Sequence, residues 1–113
     1  MRKTFSADSL AIINVASRNN STDWANNLVD AVREINPEIM FAPDYDGTTS
    51  GDTSGINVLI LESDLAFWLD ACDANDLDAT KSNIKVTAGH YGDGGWPGVD
   101  LEEDGNGNLI WIE

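Results

Sequence analysis

A chain of 113 residues has the length of one ordinary domain. A hydrophobic fraction of 42% is enough to build a core without disulfides or metals. Twenty acids against six bases leave a formal net charge of −14, which argues against direct binding to nucleic acid or to anionic membranes.

Leu10 to Ala16 is apolar and β-branched apart from Asn14 and is expected to form the first strand. After the Asn19-Asn20-Ser21 turn, Ser21 or Thr22 caps a helix, with Asp23 in its first turn where the dipole favours an acid. Trp24, Leu28, Ala31, Val32 and Ile35 recur at helical spacing, and Asn36-Pro37 stops the helix. Ile39 to Ala42 reads as a short strand, Asp44 to Gly55 as a polar loop, and Ile56 to Leu61 as a central strand.

Ser63 and Asp64 then open a second helix, expected to end near Asp76, with Leu65, Trp68, Leu69 and Cys72 as its buried face. Ile84 to Ala88 is expected as a fourth strand. Val99–Glu102 and Leu109–Ile112 form a hairpin through Asp104-Gly105-Asn106-Gly107. The expected fold is a single α+β domain: an antiparallel sheet with two helices on one face, in the βαββαβ order of ferredoxin-like proteins, followed by that hairpin.

The carboxylates are concentrated. Between Arg33 and Lys81 there are eleven acids and no base, and after Lys85 there are six acids and no base. A net charge of magnitude about 2–8 already keeps a small domain soluble. The excess is therefore read as a surface that attracts a cationic partner. Fourteen Asp, six Glu and only three Lys also fit a halophilic origin.

Asp70, Asp73 and Asp76 repeat every three residues off the buried face of the second helix. At 1.5 Å rise per residue they would step about 4.5 Å along the axis. Phosphates on one DNA strand step about 3.4 Å. A carboxylate row of this kind fits a groove built for a phosphate backbone, with Asp64 and Asp78 extending it; the same positions also suit an ordinary solvated face. Phe67, placed with Ala71 and Ala74 on the outward side, is a candidate interface anchor.

The polar loop adds Asp44, Asp46 and Asp52, as contact residues or as oxygen ligands for Ca²⁺. The glycine-rich segment Gly89–Gly98 adds Tyr91 and Trp96 as contact aromatics. His90 with Asp93 makes a weak acid–base pair, with no nucleophile motif beside it. Glu102, Asp104, Asn106, Gly107, Leu109 and Glu113 imitate the spacing of an EF-hand loop, but Leu109–Ile112 reads as strand and favours a hairpin turn. Cys72 is the only cysteine, so no intrachain disulfide forms, and its helical position suits a buried small hydrophobe.

No cofactor, metal site or catalytic group is expected. The composition points to a non-catalytic inhibitor that binds a basic, nucleic-acid-binding surface of a target protein. In size and charge alone the chain is similar to the DNA mimics among phage anti-defence (anti-CRISPR and anti-restriction) proteins. An immunity protein that neutralises a basic toxin rests on the same physics, and a Ca²⁺-binding or halophilic module is the third reading. The residues after Arg2 and Lys3 lack the apolar stretch of a signal peptide, and no run approaches a membrane span, so a cytoplasmic location is expected (the host's, if phage-encoded).

Overall fold

The computed structural model describes residues 2–19, 24–43, 55–83, 85–87 and 100–112. In chain order they form β1 (Arg2–Ser6), a 3-10 turn (Ala7–Ser9), β2 (Leu10–Ser17), α1 (Trp24–Ile35), β3 (Phe41–Pro43) and β4 (Ile56–Leu61). A second 3-10 turn (Glu62–Asp64) leads into α2 (Leu65–Ala74), and β5 (Leu77–Lys81), β6 (Asp100–Glu103) and β7 (Asn108–Ile112) follow. The described residues are mixed α+β, with two helices and two antiparallel sheets, ordered β3-β4-β2-β5 and β1-β7-β6.

Alternation along β2 explains the layering. Successive strand residues point to opposite faces, and apolar side chains occupy both. Ala11, Ile13 and Val15 join Ile56, Val58 and Ile60 of β4 in a core with Trp24, Ala25, Leu28 and Val32 of α1 and Trp68, Ala71 and Cys72 of α2. Leu10 and Ile12 face the other way. They meet Ala42, Leu59 and Val86, and the three-stranded sheet contributes Leu101, Leu109 and Trp111. Helices, four-stranded sheet and three-stranded sheet therefore stack as three layers around two cores. Asn14 and Asn57, opposite each other in the β2–β4 register, are exposed on the second face.

Several expectations are corrected. The fourth strand of the larger sheet is Leu77–Lys81, not Ile84–Ala88. Leu77 and Ala79 alternate toward the helix-side core, whereas Lys85–Thr87 is irregular and sends Val86 into the second core. Arg2–Ser6 is a strand because β7 offers it a full register and Phe5 packs edge-on to Trp111, ring centroids 6.4 Å apart. Ile35 is 68% exposed at the end of α1, and Ala25 is buried in its place. The inward face of α2 is Trp68, Ala71 and Cys72, so Leu69 lies at the surface and Ala71 does not. The expected caps Ser21 and Thr22, with Asp23, lie outside the described residues.

Candidate functional site

Of the carboxylates singled out from the sequence, the corner where β2, α2 and β5 meet holds Asp73, Asp76 and Asp78, with Asp70 one helical turn before them. The helix ends at Ala74, and Asn75 closes it by donating its side-chain amide to the Ala71 carbonyl at 2.7 Å. Asp76 then takes a left-handed conformation, φ 60°, which a short polar side chain tolerates. That turn delivers the Asp76 carbonyl to the Arg18 backbone N–H at 3.2 Å and starts β5 alongside β2.

Arg18 is the centre of this corner. Its guanidinium donates to Asp78 at 2.7 Å and to Asp73 at 3.0 Å, and lies 3.9 Å from Asp76. The hydrogen bonds, that to Asp78 first, hold the arginine's pKa above its ordinary value. The Asn19 amide adds a bond to Asp76 at 2.8 Å. All of these groups are exposed, so each pair stabilises little; the physical result is one fixed arrangement of three carboxylates around one cation.

This geometry changes the expected carboxylate row. Asp70 and Asp73 share the solvent side of α2, but Asp76 is off the helix, and Asp73, Asp76 and Asp78 converge on Arg18. An evenly stepped ladder is therefore limited to Asp70 and Asp73. Asp64 is the half-buried residue at the start of α2, and its side chain makes no capping bond. Phe67 is half-buried, packed on the helix-side core with its ring edge-on to Trp68 at 6.2 Å. Asp44, Asp46, Asp52, Tyr91, Trp96, His90, Asp93 and Glu113 lie outside the described residues.

The sequence reading missed Arg18 as a site residue because its partners are 55 to 60 positions away along the chain. Two of the other bases, Lys81 and Arg33, are also engaged. Lys81 pairs with Glu62 at 2.8 Å. Arg33 donates to the Pro37 and Ile39 carbonyls at 3.2 and 2.6 Å and stacks on Phe41, 4.4 Å from the ring centroid, closing the C-terminus of α1.

The Asp104 turn is a hairpin closure. The Asp104 carboxylate accepts from the backbone N–H of Asn106 at 2.8 Å and of Asn108 at 3.2 Å, between the paired strands β6 and β7. The Asn106 bond is the main cause that holds its pKa below 3.8. The turn is thus strongest above the unfolded-state value and weakens as pH falls through the lower folded one. Glu102, the first residue of the EF-hand spacing, sits in the ladder opposite Ile110.

Cys72 is fully buried, and burial pushes its thiol from 9.0 up to about 11 against the opposing attraction of Arg18. The folded state holds the proton more tightly than the unfolded one. Below pH 9 both states are protonated, and stability is lost as pH rises from about 9 to about 11. The loss should approach, at most, about 1.4 kcal/mol per pH unit. A Cys72→Ala variant should lack this alkaline slope in urea titrations. Alkylation of native Cys72 should occur only at the rate of global or local opening.

Among the described residues no three His, Cys, Asp or Glu side chains are grouped to hold a metal ion, and no helix is long and apolar enough to cross a membrane. The fold and this corner define an acidic three-layer α+β protein with its carboxylates arrayed on helix, turn and strand. Comparison with protein-family models, curated proteins and solved structures gives no match.

Proposed function

We propose that the chain is a non-catalytic inhibitor that docks its acidic helix–turn–strand corner on a basic, nucleic-acid-binding surface of a target protein. The observation that carries this reading is the corner itself. Asp70, Asp73, Asp76 and Asp78 are all exposed within one short stretch, and among the described residues Arg18 is the only base bonded among them. A net charge of −14 steers such a surface toward cations and away from nucleic acid and anionic lipid. The strand order β3-β4-β2-β5, antiparallel throughout, with both helices on one face, supports reading this layer as a ferredoxin-like split βαβ unit.

Asp70→Lys is the informative substitution, because Asp70 makes no ion pair among the described residues and its loss leaves the Arg18 arrangement intact. Glu103→Lys, on β6 in the opposite layer, is the matched control. Partners captured from lysate of the producing cell should be basic and should be released at about 1 M salt, where screening acts over about 3 Å. The purified partner should lose nucleic acid when this protein binds. Asp70→Lys should weaken that binding at least about tenfold, and Glu103→Lys less than about threefold. Equal effects of the two reversals, or a capture indifferent to salt, would overturn the proposal.

A further inference from the structure

We propose that Asn106 is a site of spontaneous covalent modification: in the folded chain the backbone nitrogen of Gly107 attacks its side-chain amide, and water opens the resulting succinimide to isoaspartate and aspartate. The site is independent of the acidic corner. Asn106-Gly107 is the only Asn-Gly pair in the sequence. It lies in the turn between β6 and β7, and both residues are exposed. The Asn106 backbone N–H donates to the Asp104 carboxylate at 2.8 Å. Among the described residues the Asn106 side-chain amide has no hydrogen-bond partner, and neither has the N–H of Gly107. Gly107 has φ 86°, and no atom beyond its chain neighbours lies within 4 Å of where a Cβ would stand. Nucleophile, electrophile and room for water are therefore all open at one peptide bond.

The neighbouring groups lack this freedom. Asp104-Gly105 is a similar pair, but the Asp104 carboxylate accepts from the N–H groups of Asn106 and Asn108 and from the Asn108 side-chain amide at 3.2 Å. Those bonds favour its ionised form, and a carboxylate is a poor electrophile. The same contact holds the Asn108 amide, while Asn19 donates to Asp76 at 2.8 Å and Asn75 to the Ala71 carbonyl at 2.7 Å. Asn36 precedes a proline, which has no N–H to attack with. At Asn106 the bond that forms joins Gly107 N to Asn106 Cγ, and the bond that breaks is Cγ–Nδ2. Solvent hydroxide takes the Gly107 proton, and the amide nitrogen leaves as ammonia after taking a proton from water. A second water then opens the imide. Addition at Cγ yields aspartate; addition at the α-carbonyl yields isoaspartate, whose main chain is one carbon longer. The net change consumes water, releases ammonia and leaves one new carboxylate in the turn.

The test incubates the full chain folded and, in parallel, unfolded in urea, at neutral and at mildly alkaline pH, and follows intact mass with time. Cleavage after glutamate releases Asp104–Glu113 for sequencing by mass spectrometry. The folded chain should gain about 1 Da and one negative charge. The gain should map first to Asn106 and run faster at the higher pH. Its rate should lie within about tenfold of that of the unfolded chain. An isoaspartyl methyltransferase should label the product. Asn106→Gln, which would have to close a larger ring, should slow the gain at least about tenfold. Asn106→Asp should carry the added charge from the start and take no methyl label. A folded chain that converts more than about tenfold more slowly than the unfolded one would show that the turn protects Asn106, and would overturn the proposal. A first gain at another asparagine, or no gain in either state, would overturn it equally.

Discussion

Trp111→Ala is expected to lower the unfolding free energy by about 3–5 kcal/mol, a large share of the roughly 5–15 kcal/mol that a domain possesses. Trp111 is fully buried at the middle strand of the smaller sheet. It joins Leu10, Ile12, Ala42 and Leu59 of the larger sheet in one core and stacks edge-on with Phe5. Little else can fill the space between the sheets, because the rest of that core comes from smaller side chains. In urea the midpoint should fall by about 2 M, on the usual slope of roughly 1–3 kcal/mol per molar. A loss below about 1 kcal/mol would mean that the two sheets are not one cooperative unit.

Trp68 should behave differently in its two truncations. It is fully buried against Phe41, with centroids 4.9 Å apart, and Trp68→Ala should cost about 3–5 kcal/mol through lost contacts and a cavity. Its indole Nε1 is buried without a hydrogen-bond partner among the described residues. Leaving a donor unsatisfied costs about 1–3 kcal/mol. Trp68→Phe removes that donor while keeping most of the aromatic contact, so the two terms should nearly cancel, leaving a change within about 1 kcal/mol. Chemical denaturation of the wild type and both variants tests this. A phenylalanine variant as costly as the alanine one would show that the donor is satisfied in solution.

Local patterns were readable where they were strong. Ile56–Leu61 was visible as a central strand because it is a short apolar run bounded by polar turns, and α1 because Trp24, Leu28 and Val32 keep helical spacing. The Asp-Gly and Asn-Gly pairs announced the β6–β7 hairpin. The pattern failed where the burying partner was remote. Ile84–Ala88 looks more like a strand than Leu77–Lys81, yet an edge position beside β2 selected the latter. For α2, nearly every position is apolar, so periodicity alone could not say which side faces the core; contact with the sheet chose Trp68, Ala71 and Cys72 and left Leu69 outside.

The amino-acid sequence by itself determined the net charge, the run of carboxylates without intervening bases, the two helices and the main strands, since these depend on composition and on short-range periodicity. Only the tertiary structure decided that β2 is covered on both faces, that a second sheet forms the third layer, and that Arg18 gathers Asp73, Asp76 and Asp78. The physical reason is distance along the chain. Hydrophobic burial and charge pairing act through space, and the groups they join here are separated by tens of residues, where a local pattern carries no information about which will meet.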